Sequence, residues 1–234
     1  MDGINLEIIY EDEHLVAVNK PHGLLVHRSR IANDADVFAL QILRNQIGKR
    51  VHPIHRLDRK TSGVLLFGLH KEIVSLVQEA FIQQQVEKKY MAIVRGFFPE
   101  KIKVDYPLTN DRNKTQEAIT FFQKIKQIEL EIPFGKHQTS RYSLIEAFPK
   151  TGRQHQIRKH LNHLRHPIIG DRPHGCNKQN RLFKEKWNFT TMLLHAVDLE
   201  LIHPISKKEL HLSCLLYTSP SPRDRTRSRM PSSA

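Results

Sequence analysis

Short apolar stretches bounded by polar turns predict strands along most of the chain. Residues 6–10 and 15–19 flank the polar turn EDEH, and the continuous apolar run at 64–69 predicts a buried strand. The remaining predicted strands are 89–97, 118–125, 127–133, 141–148, 191–204 and 209–216.

Other segments carry apolar residues at helical spacing. They cover about 34–47, 71–85 and 151–166. Asn33 or Asp34 is the expected N-cap of the first helix, and Gly48 is its expected end. Thr151 and Gln154 match a capping box at the start of the third. Since helices are inserted between runs of strands rather than alternating with them, the pattern predicts an α+β fold with a mixed or largely antiparallel sheet flanked by helices.

The last 18 residues, 217–234, differ in composition from the rest of the chain. They contain five Ser, four Arg and three Pro, and they have no apolar period. Such a segment cannot bury enough apolar surface to offset the entropy lost on ordering. We therefore expect residues 1–216 to form one folded domain and 217–234 to be a disordered, non-native tail, with a basic RNA-binding tail as the alternative.

The charge of the chain points to a polyanionic partner. The 234 residues have a formal charge of +13 and a pI of about 9.9, so their field attracts polyanions. Nucleic acid is the first candidate and an anionic membrane the second, but no basic amphipathic helix with exposed aromatic residues supports the membrane. No apolar run is long enough to span a bilayer and the N-terminus is acidic, so we expect a cytoplasmic protein.

One loop places a single acid among basic residues. Residues 51–69 contain Asp58 as their one carboxylate, directly before the apolar run. The basic residues around it are His52, His55, Arg56, Arg59 and Lys60. Nearby cations hold a carboxylate ionised, and an ionised Asp acts as a general base, a metal ligand or a nucleophile. The alternative is a structural Asp in a surface ion-pair loop.

The predicted helix at 151–166 is also rich in basic side chains. These are Arg153, His155, Arg158, Lys159, His160, His163, Arg165 and His166. Arg153 lies in the first predicted turn, where the helix dipole favours anions, so it indicates a phosphate or carboxylate partner; a solvated basic face is the alternative. The neighbouring Arg and Lys would repel a dication, so we expect no metal site at these histidines.

The segment HRLDRKTSG (55–63) resembles the signature of the RluA-type pseudouridine synthase family. Five further motifs match that family, and they occur in the family's order. They are LVAVNKPHGLLVHR (15–28), KKYMAIVRG (88–96), TGRQHQIRKHL (151–161), HPIIGD (166–171) and LLHA (193–196). The resemblance implies the pseudouridine synthase fold with a basic catalytic cleft, an RNA substrate and an isomerisation that needs no cofactor and no metal.

The resemblance also implies a role for individual residues. Asp58 matches the catalytic aspartate that attacks the target nucleotide, either at C1′ or on the base. Tyr90 matches the tyrosine that stacks on the base and assists removal of the C5 proton, and Arg158 matches the arginine that pairs with the aspartate. Arg56 matches the residue that displaces the target base. The other expected RNA-binding residues are Arg59, Lys60, His55, Arg153, His155 and Lys159.

Within the family, three features resemble one branch. These are LRHPIIGD (164–171), VHRS (26–29) and the absence of an RNA-binding S4 module ahead of residue 6. That branch modifies a stem uridine at position 65 of tRNA, so we expect tRNA as the substrate, with rRNA as the alternative, and a monomeric enzyme. The rival hypothesis is a non-catalytic RNA-binding module that uses the same basic groove.

Overall fold

The computed structural model describes residues 5–27 and 37–214. The strands are β1 (Glu7–Glu11), β2 (Leu15–Lys20), β3 (His52–Pro53), β4 (Ser62–Gly68), β5 (Glu87–Arg95), β6 (Lys101–Asp105), β7 (Leu108–Thr109), β8 (Thr115–Gln116), β9 (Ile119–Leu130), β10 (Ser140–Pro149), β11 (Leu194–Ile202) and β12 (Glu209–Ser213). The helices are α1 (Ala39–Ile47), α2 (Lys71–Ile82), α3 (Gln156–His163) and α4 (Asn177–Trp187).

Within the described ranges, ten strands form one sheet. Its order is β1-β2-β4-β11-β5-β10-β9-β6, with β12 also paired to β11 and β3 to β4. Neighbouring strands are antiparallel except β4 and β11, which are parallel and place His195 beside Ser62 and Ala196 beside Gly63. The predicted α+β class and mixed sheet are therefore confirmed.

Alternating side chains of β2 and β4 fill two separate cores. Val16 and Leu65 belong to the same core cluster as Leu43 of α1, whereas Leu66 belongs to the cluster that contains Val77 of α2. Because successive residues of a strand point to opposite faces, α1 and α2 cover opposite faces of this part of the sheet.

A third core joins α3 to the other half of the sheet. Ile157 and Leu161 of α3 pack with Ala92 and Val94 of β5 and with Ile145 of β10. This packing holds α3 against the part of the sheet formed by β5 and β10.

The start of the helix predicted at 151–166 is wrong. The structure begins α3 only after His155, which has a left-handed backbone with φ of 56°. The side chain of Gln156 accepts hydrogen bonds from Thr151 Oγ1 at 2.7 Å and from the Arg153 amide at 3.0 Å. These bonds hold residues 151–155 as a loop, so the predicted capping box with Gln154 does not form.

The first helix ends as predicted but begins later. Gly48 is its C-cap in the left-handed conformation, with φ of 67°. Phe38 occupies the N-cap position because it is extended and forms a bridge with Leu25. The predicted caps Asn33 and Asp34 lie outside the described residues.

Other differences arise where pairing overrides local pattern. The two strands predicted at 118–133 are one strand, β9, because β10 pairs with it along its length through a bulge at Leu144 and Ile145. Helix α4 was missed because it is mostly polar and fully buries only Gln179.

The tail predicted at 217–234 lies outside the described residues. None of the helices in the described ranges is both long and apolar enough to cross a membrane.

Candidate active site

A cavity of about 760 Å³ opens between the loop before β4, the C-terminal half of α2 and the segment that leads into α3. Among the described residues that line it, Asp58 is the one carboxylate. The lysines and arginines in its lining are Arg56, Lys88, Lys150, Arg153 and Arg158. Ile54, Leu57, Phe81 and Ile157 contribute apolar surface. The cavity thus combines one acid, several cations and an apolar floor.

Asp58 is held at this cavity by a buried arginine. Arg158 Nη1 donates a hydrogen bond to Asp58 Oδ2 at 2.9 Å, across 100 residues of sequence. The side chain of Asp58 is 20% exposed, whereas that of Arg158 is 5% exposed. One carboxylate oxygen therefore faces a fixed cation while the group as a whole remains accessible from the cavity.

A second carboxylate orients the same arginine. Arg158 Nε donates to Asp171 Oδ2 at 2.7 Å and Nη2 donates to Oδ1 at 2.8 Å, which is a bidentate pair. Burial by itself lowers the pKa of Arg158, but the hydrogen bonds to Asp171 and Asp58 raise it above its usual value. Burial likewise raises the pKa of Asp171, but Arg158 holds it below its usual value. Both partners therefore stay charged at neutral pH.

Tyr90 lines the cavity from β5. Burial, and next the negative charge of Asp58, raises the pKa of its phenol above the usual value. The phenol therefore stays protonated at neutral pH. Its ring, which is partly buried in the core, offers a rigid flat surface next to the carboxylate.

Lys20 anchors the loop that carries Asp58. Its side chain is completely buried, and Nζ donates to the carbonyl oxygens of Pro21 at 3.0 Å, Leu24 at 2.8 Å and Arg59 at 3.2 Å. Burial lowers the pKa of Lys20 to about 7, and the charge of Asp58 opposes this decrease. The ammonium thus ties the loop after β2 to the residue that follows Asp58.

A histidine pair lies near the carboxylate oxygen that Arg158 contacts. His155 Nε2 lies 3.8 Å from Asp58 Oδ2, and His155 Nδ1 forms a hydrogen bond of 2.9 Å with His174 Nε2. Burial lowers the pKa of both histidines, and the charge of Arg158 adds to this decrease. Both rings are therefore mainly neutral at pH 7, and they fill space next to Asp58 without adding charge.

His55 is occupied by packing within the protein. Its Nε2 accepts a hydrogen bond from the Leu66 amide at 3.1 Å, and its ring stacks on Phe81 with centroids 5.3 Å apart. Burial lowers the pKa of His55 to about 4, so it is neutral under physiological conditions. It lines the cavity as an apolar and aromatic wall.

The other predicted RNA-binding residues fall into two groups. Arg56 and Arg153 line the cavity, and Arg153 Nε also donates to the Glu117 carbonyl at 2.9 Å. Three others are absent from the described lining of the cavity: Arg59, Lys60 and Lys159. Arg59 is exposed and Nε donates to the Gly23 carbonyl, whereas Lys159 Nζ donates to the Thr109 carbonyl. Their roles in RNA binding stay predictions.

Several residues of the site were missed from the sequence. Asp171 and Lys20 both lie within motifs that were recognised, at the end of HPIIGD and inside LVAVNKPHG. A carboxylate or a lysine beside Pro and Gly usually marks a surface turn, so composition alone did not distinguish them. Lys88 lies within the recognised motif KKYMAIVRG but was given no role, and His174 carried no local signal. The placement of both depends on the neighbouring chain segments.

The chain is similar in sequence to a family of RNA-modifying enzymes. The family profile described as RNA pseudouridylate synthase matches residues 14–163. A tRNA pseudouridine synthase C of Haemophilus ducreyi is 46% identical over 223 residues, covering 91% of this chain and 92% of that protein. Its counterpart in Vibrio cholerae is 47% identical over 216 residues, covering 88% of each chain.

Solved structures show the same architecture. Human RNA Pseudouridylate Synthase Domain Containing 4 aligns with a TM-score of 0.67 at 29% identity, covering 91% of this chain and 89% of that one. Human RNA Pseudouridylate Synthase Domain Containing 1 aligns with a TM-score of 0.72 at 21% identity, covering 90% and 83%. At 21% identity, the similarity to the Domain Containing 1 protein shows a shared fold and nothing more.

Proposed function

Because the chain belongs to the RNA pseudouridylate synthase family, we propose that it converts a uridine of tRNA to pseudouridine and that Asp58 is the catalytic carboxylate. The observation that carries this assignment is the 2.9 Å hydrogen bond from the buried Arg158 to Asp58, at a cavity where Asp58 is the one acid among the described lining residues. A protein that merely binds phosphate gains nothing from a carboxylate in its groove, because that charge repels the ligand.

The chemistry requires an ionised carboxylate. In the net reaction the N1–C1′ bond of uridine breaks, a C5–C1′ bond forms, and one proton leaves C5 while N1 gains one. Whether Asp58 attacks C1′ or the base, the attack begins from the charged carboxylate. Arg158 places a positive charge 2.9 Å from Asp58, and this charge offsets part of the repulsion between the carboxylate and nearby RNA phosphates.

Tyr90 acts in this proposal first as a stacking surface. Stacking of a base on an aromatic side chain is worth about 1–3 kcal/mol. A protonated phenol is a poor base, and the charge of Asp58 helps to keep it protonated. When Asp58 forms a covalent bond to the substrate it loses that charge, which removes one of the two causes of the raised pKa of Tyr90. The phenol can then give up its own proton more easily, and it must do so before its oxygen accepts the proton from C5.

The cations of the cavity support an RNA substrate. A uridine within a stem must be flipped out of its helix, which costs a few kcal/mol. Contacts between phosphates and basic side chains offset that cost, and Arg56, Arg153 and Lys150 line the cavity without being fully buried. Arg56 is exposed, which suits the proposed role of displacing the target base.

The name of the relatives supports tRNA over rRNA as the substrate. The resemblance of LRHPIIGD to one branch of the family further points to position 65 in a tRNA stem. We assign the activity to residues 1–216 acting as a monomer.

Tritium release tests the proposal directly. Pure protein is incubated with tRNA, and separately with rRNA, labelled with tritium at uracil C5, and the modified position is mapped. We expect release from tRNA with pseudouridine at position 65. No release from either RNA would overturn the enzymatic assignment, and release from rRNA alone would overturn the tRNA substrate.

The role of Asp58 is tested by Asp58→Asn. We expect tritium release to vanish while RNA binding stays within about tenfold of wild type, or 1.4 kcal/mol. Asp105→Asn is the matched control, because that carboxylate is exposed and pairs only with Lys103 in the described part of the chain. Normal turnover by the Asp58 variant would refute its catalytic role.

A further inference from the structure

The cavity extends well beyond the reaction centre. Asp58, Tyr90 and Arg158 occupy one part of it. The remainder, which we call the outer lobe, runs along the C-terminal half of α2 to the start of β5. Its lining comprises Ile54, His55, Phe81, Ile82, Lys88 and Lys150.

We propose that the outer lobe binds a nucleotide adjacent to the target uridine, and that Lys88 pairs with a phosphate of that nucleotide. This inference rests on the proposed RNA substrate. The ligand chemistry is that of a single nucleotide, with a negatively charged phosphodiester and a flat base.

The geometry of β5 places Lys88 next to the reaction centre. Lys88 and Tyr90 are two residues apart on one strand, so their side chains lie on the same face with about 7 Å between their Cα atoms. Lys89 points to the opposite face, where its Nζ lies 2.9 Å from Asp198 Oδ2. A base on Tyr90 would therefore bring its neighbouring backbone to Lys88.

Lys88 lacks an anionic partner in the described part of the protein. Its Nζ faces the ring of Phe81 at 5.8 Å from the centroid, and no carboxylate of a described residue forms an ion pair with it. Glu87 is adjacent in sequence, but its carboxylate binds Lys150 Nζ at 2.7 and 3.0 Å. Burial lowers the pKa of Lys88, the charge of Glu87 opposes this decrease, and the charge of Lys150 adds to it. A partly buried ammonium with no anion in direct contact is unfavourable, and an RNA phosphate would supply that contact.

The aromatic lining of the outer lobe suits a base. It consists of the stacked rings of Phe81 and His55, and His55 carries no charge at neutral pH. Ile82 at the end of α2 leaves 73% of its surface exposed, although it is a large apolar residue at the edge of the cavity. Aromatic and apolar surface beside a cation is the combination that binds single-stranded nucleotides.

Lys88→Met tests the phosphate contact, because it keeps the length of the side chain and removes the charge. Lys184→Met is the matched control, since Lys184 is exposed on α4 and absent from the cavity lining. We expect Lys88→Met to raise KM about tenfold with kcat within twofold, and to reduce the slope of log Kd against log salt by about one. The control should stay within twofold in KM. The thermal midpoint of Lys88→Met should not fall, because the side chain has no described anion to lose.

A substrate with one neutral linkage identifies the partner. RNA stems are prepared with a methylphosphonate at each linkage flanking the target uridine in turn. We expect a neutral group at one of these linkages to weaken RNA binding by the wild-type protein about tenfold. The same substrate should bind Lys88→Met as well as unmodified RNA does, because the contact is already lost in that variant. Losses that multiply at every linkage, or a Lys88→Met variant that behaves like Lys184→Met, would overturn the proposal. Binding is measured without turnover, so a wild-type protein that binds RNA but releases no tritium counts against the proposed function and not against this site.

Discussion

Replacing Asp171 by Asn should slow the reaction more than it weakens RNA binding. Asp171 is far from solvent, with 1% of its side chain exposed, and both of its carboxylate oxygens accept hydrogen bonds from Arg158. Asn keeps one acceptor and places an amide donor against an arginine N–H. Arg158 therefore loses one charge-assisted bond and its fixed orientation toward Asp58.

The size of the effect follows from these contacts. A hydrogen bond to a charged group contributes about 1.5–3 kcal/mol, and breaking a buried pair costs about 3–5 kcal/mol when no partner remains. Since Asn retains one bond, we expect the free energy of unfolding to fall by about 2–4 kcal/mol. If the same 1.5–3 kcal/mol is lost in orienting Asp58, kcat falls about 10- to 150-fold.

The assay separates orientation from stability. Single-turnover tritium release at saturating RNA gives the rate, filter binding gives Kd, and urea unfolding gives stability. Asp198→Asn is the control, because Asp198 is 11% exposed and pairs with Lys89 at 2.9 Å on the face of β5 opposite Tyr90. We expect both variants to lose stability, both to bind RNA within threefold of wild type, and only Asp171→Asn to react slowly. Equal rates for the two variants, after correction for unfolded protein, would refute the orienting role of Asp171.

Three further outcomes test other parts of the structure. Tyr90→Leu should weaken RNA binding by about 1–3 kcal/mol while Tyr90→Phe binds within threefold of wild type, and equal Kd values for the two variants would contradict stacking. Gly63→Ala should lower the free energy of unfolding by about 3 kcal/mol or more, measured by urea unfolding, because φ is +110° and a Cβ would collide with the Ala196 carbonyl. A loss under 1 kcal/mol would contradict the close approach of β4 and β11. The pKa of His55 falls from 6.5 unfolded to about 4 folded, so the unfolded state binds more protons in that window and stability is lost as pH falls through it. Between pH 7.5 and pH 5.0, wild type should lose about 2 kcal/mol more than His55→Gln, which retains an acceptor for the Leu66 amide, and parallel losses would show that His55 does not titrate in this range.

Much of the fold could be predicted from local pattern. The apolar stretch at 15–19 and the apolar run at 64–69 predicted strands close to β2 and β4, and Gly48 ends α1 as expected. The family resemblance is confirmed by the comparisons. The predicted start of α3 failed because the side chain of Gln156 bonds to Thr151 and keeps the preceding loop out of the helix, which no capping pattern reveals.

The sequence by itself determined the candidates for the chemistry, since Asp58, Tyr90 and Arg158 each stand in a motif that resembles one of the family. It did not determine that Asp171 binds Arg158 through both oxygens or that Lys20 lies buried beside the Asp58 loop. Nor did it determine that, among the residues the structure describes, Lys88 forms no ion pair while Lys150 pairs with Glu87. Local spacing encodes helices because their hydrogen bonds join residues four apart, and it indicates strands through the pattern of apolar side chains along them. Charge partners that lie 13 to 100 residues apart in sequence come together only in the folded chain. Burial and charge pairing are therefore properties of the tertiary structure.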